Sequence, residues 1–196
     1  MSMLLLGTGG ITATSVSTVP VTVFNQTASL TVFDPAWQGF NQVLVLTSSL
    51  LSSATGQYAR FTWLFSSGTS SGILDNAYVA RQSTAGGAEI FDFSNTPSQI
   101  QWAGATSLTG ISAVSSATTF VSDFVLLPET FDNTKTYLVA QHCNSSGSVN
   151  SVDGAGANGA FFKAGAAESS IVDKTGFNTY AAFSFIAKME VSQVNS

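Results

Sequence analysis

Residues 58–87 read YARFTWLFSSGTSSGILDNAYVARQSTAGG, and the spacing of their aromatic residues decides the fold class. Ala59, Phe61, Trp63 and Phe65 fall on one parity, and Tyr58, Arg60, Thr62, Leu64 and Ser66 on the other. Side chains on a strand point alternately to opposite faces, so this pattern predicts a strand with a core face and a mixed face. The glycines and hydroxyl residues of 66–72 favour a turn, and a second strand is expected over 77–82 before Gly86 and Gly87 end it. The two strands are expected to pair as a hairpin or an equivalent strand pair.

Outward from this stretch the same habit recurs. Val19, Val21 and Val23 alternate with Pro20 and Thr22, and the proline places that strand at a sheet edge. Residues 28–33 alternate before an Asp34-Pro35 turn. Residues 42–47 form a nearly continuous apolar run, as in a strand covered on both faces. Short strands are expected at 89–93, 100–102 and 160–163, and longer ones at 119–127 and 136–143. The last strand alternates from Tyr180, with Ala181, Phe183, Phe185, Ala187, Met189 and Val191 against Ala182, Ser184, Ile186, Lys188 and Glu190. Residues 144–158 are the longest loop candidate. No ten-residue stretch carries helical periodicity. About nine or ten strands separated by turn signals imply an all-β fold, an antiparallel β-sandwich with the jelly roll as its most economical form.

The domain is expected at 19–196, preceded by an extended N-terminal arm at 1–18 whose tip, Met3, Leu4, Leu5 and Leu6, would anchor in a neighbouring subunit or ring. A frayed terminus is the alternative for those residues. The apolar run is far shorter than a signal-peptide core or a membrane span, so synthesis in a cytoplasm and no membrane insertion are expected.

Only 9% of the residues are charged, against a norm of about 25%, while 15 Phe and 3 Trp supply ample core. A surface so poor in charge suits a subunit partly hidden in a homo-oligomer or larger particle. The net charge is −5, and the six cations, Arg60, Arg81, Lys135, Lys163, Lys174 and Lys188, are scattered. They form no stripe that could neutralise a phosphate backbone, which argues against nucleic-acid binding.

The motifs that resemble catalytic or cofactor signatures lack their structural context. Gly68-Thr69-Ser70-Ser71-Gly72 matches G-x-S-x-G, with Asp123 or Asp132 and His142 available to complete a triad, but ILDNAYVAR after it reads as strand rather than helix. Residues 154–159 match G-x-G-x-x-G, yet they lead into AFFKAG, which is too short and aromatic for a phosphate-facing helix. His142 and Cys143 point to opposite faces of a strand and cannot share a metal without distortion. Cys143 reads as a small buried hydrophobe. Asp75-Asn76, Asp132-Asn133 and Asp153 allow a calcium ligand set only weakly, and turn formation by their side chains is the preferred reading. No pair of the eleven acids is spaced as a glycosidase pair. No catalytic, cofactor or metal residue is therefore assigned. Tyr58, Tyr78, Trp102 and Tyr180, with Arg60, are the candidates for contact with a glycan or a partner.

Residues 58–87 also carry a resemblance. The pattern Tyr58, Phe61, Trp63, Phe65, then a Thr/Ser/Gly turn and Arg81-Gln82-Ser83-Thr84-Ala85-Gly86-Gly87, resembles tailed-bacteriophage virion proteins of the tail-fibre, adhesin or decoration type, whose turn reads R-x-S-T-D-G-G. Ala85 stands where that pattern has Asp, so no role of that acid carries over. The resemblance implies a non-enzymatic β-sandwich on a virion, with a trimer as the favoured oligomer. Its partners would be other virion proteins and a host surface polysaccharide, and the alternative role is capsid decoration or a minor capsid subunit. The face bearing Tyr58, Arg60, Thr62 and Leu64 is predicted to meet another subunit or sheet, because it holds too little charge for open solvent.

Overall fold

The structure, a computed structural model, describes residues 19–26, 38–65, 69–113, 117–144, 152–153, 160–180 and 183–194. The expected arm, with Met3 to Leu6, the strand at 28–33 and most of the loop at 144–158 lie outside the described residues, as does the glycine motif at 154–159.

Two antiparallel sheets pack against each other as a sandwich. The first holds β1 (Val21–Asn25), β14 (Ile186–Ser192), β3 (Tyr58–Phe65) and β7 (Thr118–Val121) in that order, with β8 (Val125–Leu126) also on β3. In the second, β12 (Asn178–Tyr180), β11 (Ala160–Ala164), β2 (Phe40–Leu46), β9 (Tyr137–Cys143), β4 (Thr69–Arg81) and β5 (Ser98–Ile100) follow one another, and β6 (Leu108–Ala113) pairs with β4. A small pair joins β10 (Val152–Asp153) to β13 (Phe183–Ser184). Among the described residues the one helical turn is the 3-10 turn Ser48–Leu50. As Pro20 implied, β1 lies at an edge.

The alternation in β3 holds: Ala59, Phe61, Trp63 and Phe65 are all fully buried between the sheets. They meet Leu44, Leu46, Ala77, Val79, Ile100, Tyr137 and Val139 of the second sheet, together with Met189 and Val191. Trp63 stacks edge-on against Trp102, with ring centroids 5.0 Å apart. Burying such aromatics supplies most of the folding drive, at about 25 cal/mol per Å2 of apolar surface.

The expected pairing of β3 with the following strand is corrected. β3 ends at Phe65 in the first sheet, and β4 begins at Thr69 in the second, bonded to β9, β5 and β6. Strands adjacent in sequence therefore lie in different layers. Residues 69–72, expected as turn, are strand, because their backbone finds a partner in β6. Alternation specifies which side chains share a face but not which strand lies alongside.

The closing strand is likewise divided. Tyr180 ends β12 in the second sheet, whereas Ile186–Ser192 lies in the first between β1 and β3. The register slips between Ile186 and Lys188, so Ile186, expected opposite Phe185 and Met189, joins them in the core. A bulge adds one residue and reverses the parity beyond it. Residues 119–127 break into β7 and β8 around Ser122, whose Oγ accepts from Phe61 N. The expected strand at 89–93 is a turn region joined to the rest by an isolated bridge between Gln82 and Phe93.

The centre of the second sheet is buried on both sides, and every residue of β9 is buried. Its outer face carries a second apolar cluster in which Val43, Val45, Ala80, Leu138, Ala140 and Phe161 meet Phe91 and Phe93. The segment 165–169 is tied down by polar side chains from three adjacent strands. Asn41 Nδ2 donates to Ala166 O at 2.8 Å, and Glu168 N donates to Asn41 Oδ1 at 2.6 Å. His142 Nε2 lies 3.0 Å from Gly165 O, and Ser169 Oγ bonds Asn76 Oδ1. Asn41 and Asn76 both pair in register with His142, so one polar row crosses the sheet.

Candidate functional site: the outer face of the first sheet

The two outer faces differ in what lies over them. Over the second sheet sit the loop residues just described. The first sheet presents Tyr58, Arg60 and Thr62 half-buried, with Val121 53% and Leu126 52% exposed beside them. The register explains this grouping, since Val121 pairs with Thr62 and Leu126 with Tyr58, so all four project to the same side.

This face is not as poor in charge as expected. Arg60 pairs in register with Glu190, and its Nε donates to Glu190 Oε2 at 3.0 Å, with Nη2 also 3.0 Å from that oxygen. Lys188 Nζ reaches Glu190 Oε1 at 3.1 Å. The Arg60 guanidinium lies 4.6 Å from the centroid of the Phe124 ring, a cation–π arrangement. Glu190 is thus nearly buried between two cations, and the charges are satisfied within the chain. What remains outward is an apolar rim around a neutralised centre.

The five contact candidates do not share a surface. Tyr58 and Arg60 lie on this face. Tyr78 is half-buried on the opposite side of the molecule, packed against the second apolar cluster. Trp102, expected to be available to a partner, is only 6% exposed and belongs to the core against Trp63. Tyr180 lies in β12, paired with Ala160 at the far edge of the second sheet.

The residues of the apparent triad are separated into structural roles. Ser70 lies within β4 rather than on a strand-to-helix turn. Asp123 accepts from the amides of Ala103 at 3.1 Å and Gly104 at 2.7 Å, which holds a tight turn where Ala103 has φ 50° and Gly104 φ 78°. Asp132 Oδ1 accepts from Thr134 N and Oγ1 at 2.9 and 2.7 Å, the side-chain turn expected of it. These bonds hold its carboxyl below the usual range. His142 Nδ1 instead lies 2.6 Å from Asp75 Oδ2. Asp75 sits where the β4 register slips against β9, and that bulge aims its carboxylate at His142 and Asn144. Cys143 is fully buried, and burial pushes its thiol pKa far up. Among the described residues no group of three or more His, Cys, Asp or Glu is placed to hold a metal ion. No helix among them is long and apolar enough to cross a membrane.

One residue gave no signal in the sequence. Lys174 is completely buried under the second apolar cluster, its Nζ 3.5 Å from the centroid of Phe93 and 3.3 Å from Phe91 O. Its backbone N donates to Asp92 Oδ1 at 2.7 Å. Burial pushes the amine pKa down to about 7, against the opposing pull of Asp92 and Glu168. Loop composition gives no hint of such burial, because the aromatic residues that enclose Lys174 lie about 80 positions away in the chain.

No protein-family model matches the chain, and no curated protein matches it.

Proposed function

We propose that this chain is a non-enzymatic subunit of a phage or phage-like particle, a tail-fibre, spike or adhesin component that attaches to host-surface glycans. It would act as a homo-oligomer, a trimer being the favoured form, with the sandwich connected as a jelly roll and other virion proteins as its neighbours. The observation that carries the reading is the contrast between the two outer faces. One is sealed by the chain's own loops, while the other offers Val121 and Leu126 beside Tyr58 around the internally neutralised Arg60, Glu190 and Lys188. A face of that kind suits a second copy of the chain, since apolar area with satisfied charges can be buried without leaving an unpaired ion. The resemblance of residues 58–87 to virion proteins and the low overall charge support the same reading.

The second reading is a decoration or minor capsid subunit, in which the same face meets the shell. Two measurements test the proposal. Light-scattering mass should give an oligomer for the natural chain and a monomer for Val121→Asp with Leu126→Asp, with the circular dichroism of both proteins alike. An antibody raised against the chain should label the tail tip of particles in electron micrographs. Label over the shell selects the second reading, and a monomeric natural chain with no label on particles overturns both.

A further inference from the structure

At the end of the second sheet where β4 stops and β9 starts, the surface opens into a groove of about 350 Å3. That volume lies at the small end of the ~300–1,000 Å3 typical of small-molecule sites. Its floor is fixed. Arg81 forms an ion pair with Glu129, donates from Nη2 to Thr130 O at 2.5 Å and from Nε to Tyr137 Oη at 3.4 Å. Asn95 Nδ2 holds the other carboxylate oxygen, Glu129 Oε1, at 3.0 Å. The walls are fixed by backbone bonds, from Gln82 N to Thr136 O at 2.9 Å and from Ser94 N to Arg81 O at 2.9 Å.

Four of the side chains that line the groove are, by contrast, unspent. Thr84, Ser94, Lys135 and Thr136 line the groove, the first three of them exposed, and among the described residues their hydroxyls and ammonium have no hydrogen-bond or ion-pair partner. Each hydroxyl offers one donor and two acceptor positions. The charges around the groove cancel, since Arg81 and Lys135 stand against Glu129 and against Asp132, whose carboxylate feels both cations. Among the described residues that line it there is no aromatic ring. A nucleobase would find no stacking surface, an apolar ligand no wall, and a phosphate no net positive field.

From this chemistry we infer that the groove binds a neutral saccharide unit, its ring hydroxyls bridging Thr84, Ser94 and Thr136 while the Arg81–Glu129 pair holds the floor rigid. The inference deepens the attachment reading above, and rests on it for its biological setting. One such open polar site is weak, and attachment strength comes from repeating it around an oligomer.

The test uses the full-length protein with three probes, maltotriose and tri-N-acetylchitotriose as neutral saccharides and trigalacturonate as an acidic one, followed by amide shifts in NMR spectra. At least one neutral probe should shift the Lys135 and Thr136 amides at millimolar concentration. The double variant Ser94→Ala with Thr136→Val, which keeps the backbone bonds of the walls, should weaken that binding by about tenfold or more. The inference is overturned if neither neutral probe moves those amides, if the variant binds as well as the natural chain, or if trigalacturonate binds more tightly than both. Host-cell binding by the oligomer separates the two readings. Cell binding that survives the double variant overturns the groove and leaves attachment standing, whereas saccharide binding in the groove without cell binding does the reverse.

Discussion

The indole Nε1 of Trp63 donates to Oε1 of Gln141 at 2.7 Å, joining the first sheet to the second through the middle of the core. The bond is part of a buried chain. Gln141 Nε2 donates to Gln42 Oε1 at 2.5 Å, and Cys143 Sγ lies 3.2 Å from the same oxygen. A polar group in such a place is costly unless paired, and the pairing fixes how the two sheets sit against each other. Gln141→Leu strands the Trp63 N–H in an apolar core, and should cost about 2–3 kcal/mol. Trp63→Phe should cost a similar amount through lost volume and lost pairing. The double variant should be less destabilised than the sum by more than about 0.5 kcal/mol, measured by denaturant unfolding. Strict additivity would show that the bond contributes nothing.

Lys174 makes stability depend on pH in a predictable direction. Its amine has an ordinary pKa of 10.5 and is pushed down to about 7 in the folded chain. Between those values the unfolded chain binds the proton and the folded chain does not, so stability rises with pH. Below about 7 both states are protonated and the penalty is fully present. The groups that face the amine are Asp92 and Glu168, both of which favour its charged form. Raising the pH from about 7 to about 8.5 should add on the order of 1–2 kcal/mol to the unfolding free energy. Lys174→Met should remove that slope and be neutral or stabilising, because it replaces a buried amine with an apolar chain of similar length. Equal slopes in the two proteins would contradict the assignment. The comparison stops at about pH 8.5, since above it the buried Cys143, held protonated by the fold, begins to act in the opposite sense.

Gly56 occupies a place where only glycine fits. A methyl group on its Cα would lie 2.6 Å from the carbonyl carbon of Ser192 and 2.7 Å from Val191 Cγ1. That approach is fixed by two backbone bonds, Gln57 N to Ser192 O at 3.1 Å and Phe131 N to Gly56 O at 2.8 Å. Because the obstacle is backbone, it cannot swing aside. Gly56→Ala should therefore lower stability by on the order of 2–4 kcal/mol. Gly86→Ala, whose methyl group meets nothing within 4 Å, should change it by less than about 0.5 kcal/mol. Urea midpoints of the two variants settle the comparison, and equal midpoints would contradict it.

The period-two spacing of residues 58–65 determined by itself that this is a β protein and that Ala59, Phe61, Trp63 and Phe65 form its core, because alternation is a local property of an extended chain. The apolar run over β2, the edge position of the strand after Pro20, the burial of Cys143 and the side-chain turn at Asp132 were legible for the same reason: each depends on a few neighbouring residues.

Only the tertiary structure decided which strands lie together. It put β3 and β4 in different layers, and its slips near Asp75 and Ala187 changed which side chains reach the core. It buried Trp102 against Trp63 and enclosed Lys174 beneath Phe93, and it brought Thr84, Ser94 and Thr136 to one groove. All of these depend on residues far apart in the chain meeting once both sheets have closed. Sheet pairing is chosen by the backbone bonds and packing of the whole sandwich, and no short stretch of sequence contains that information.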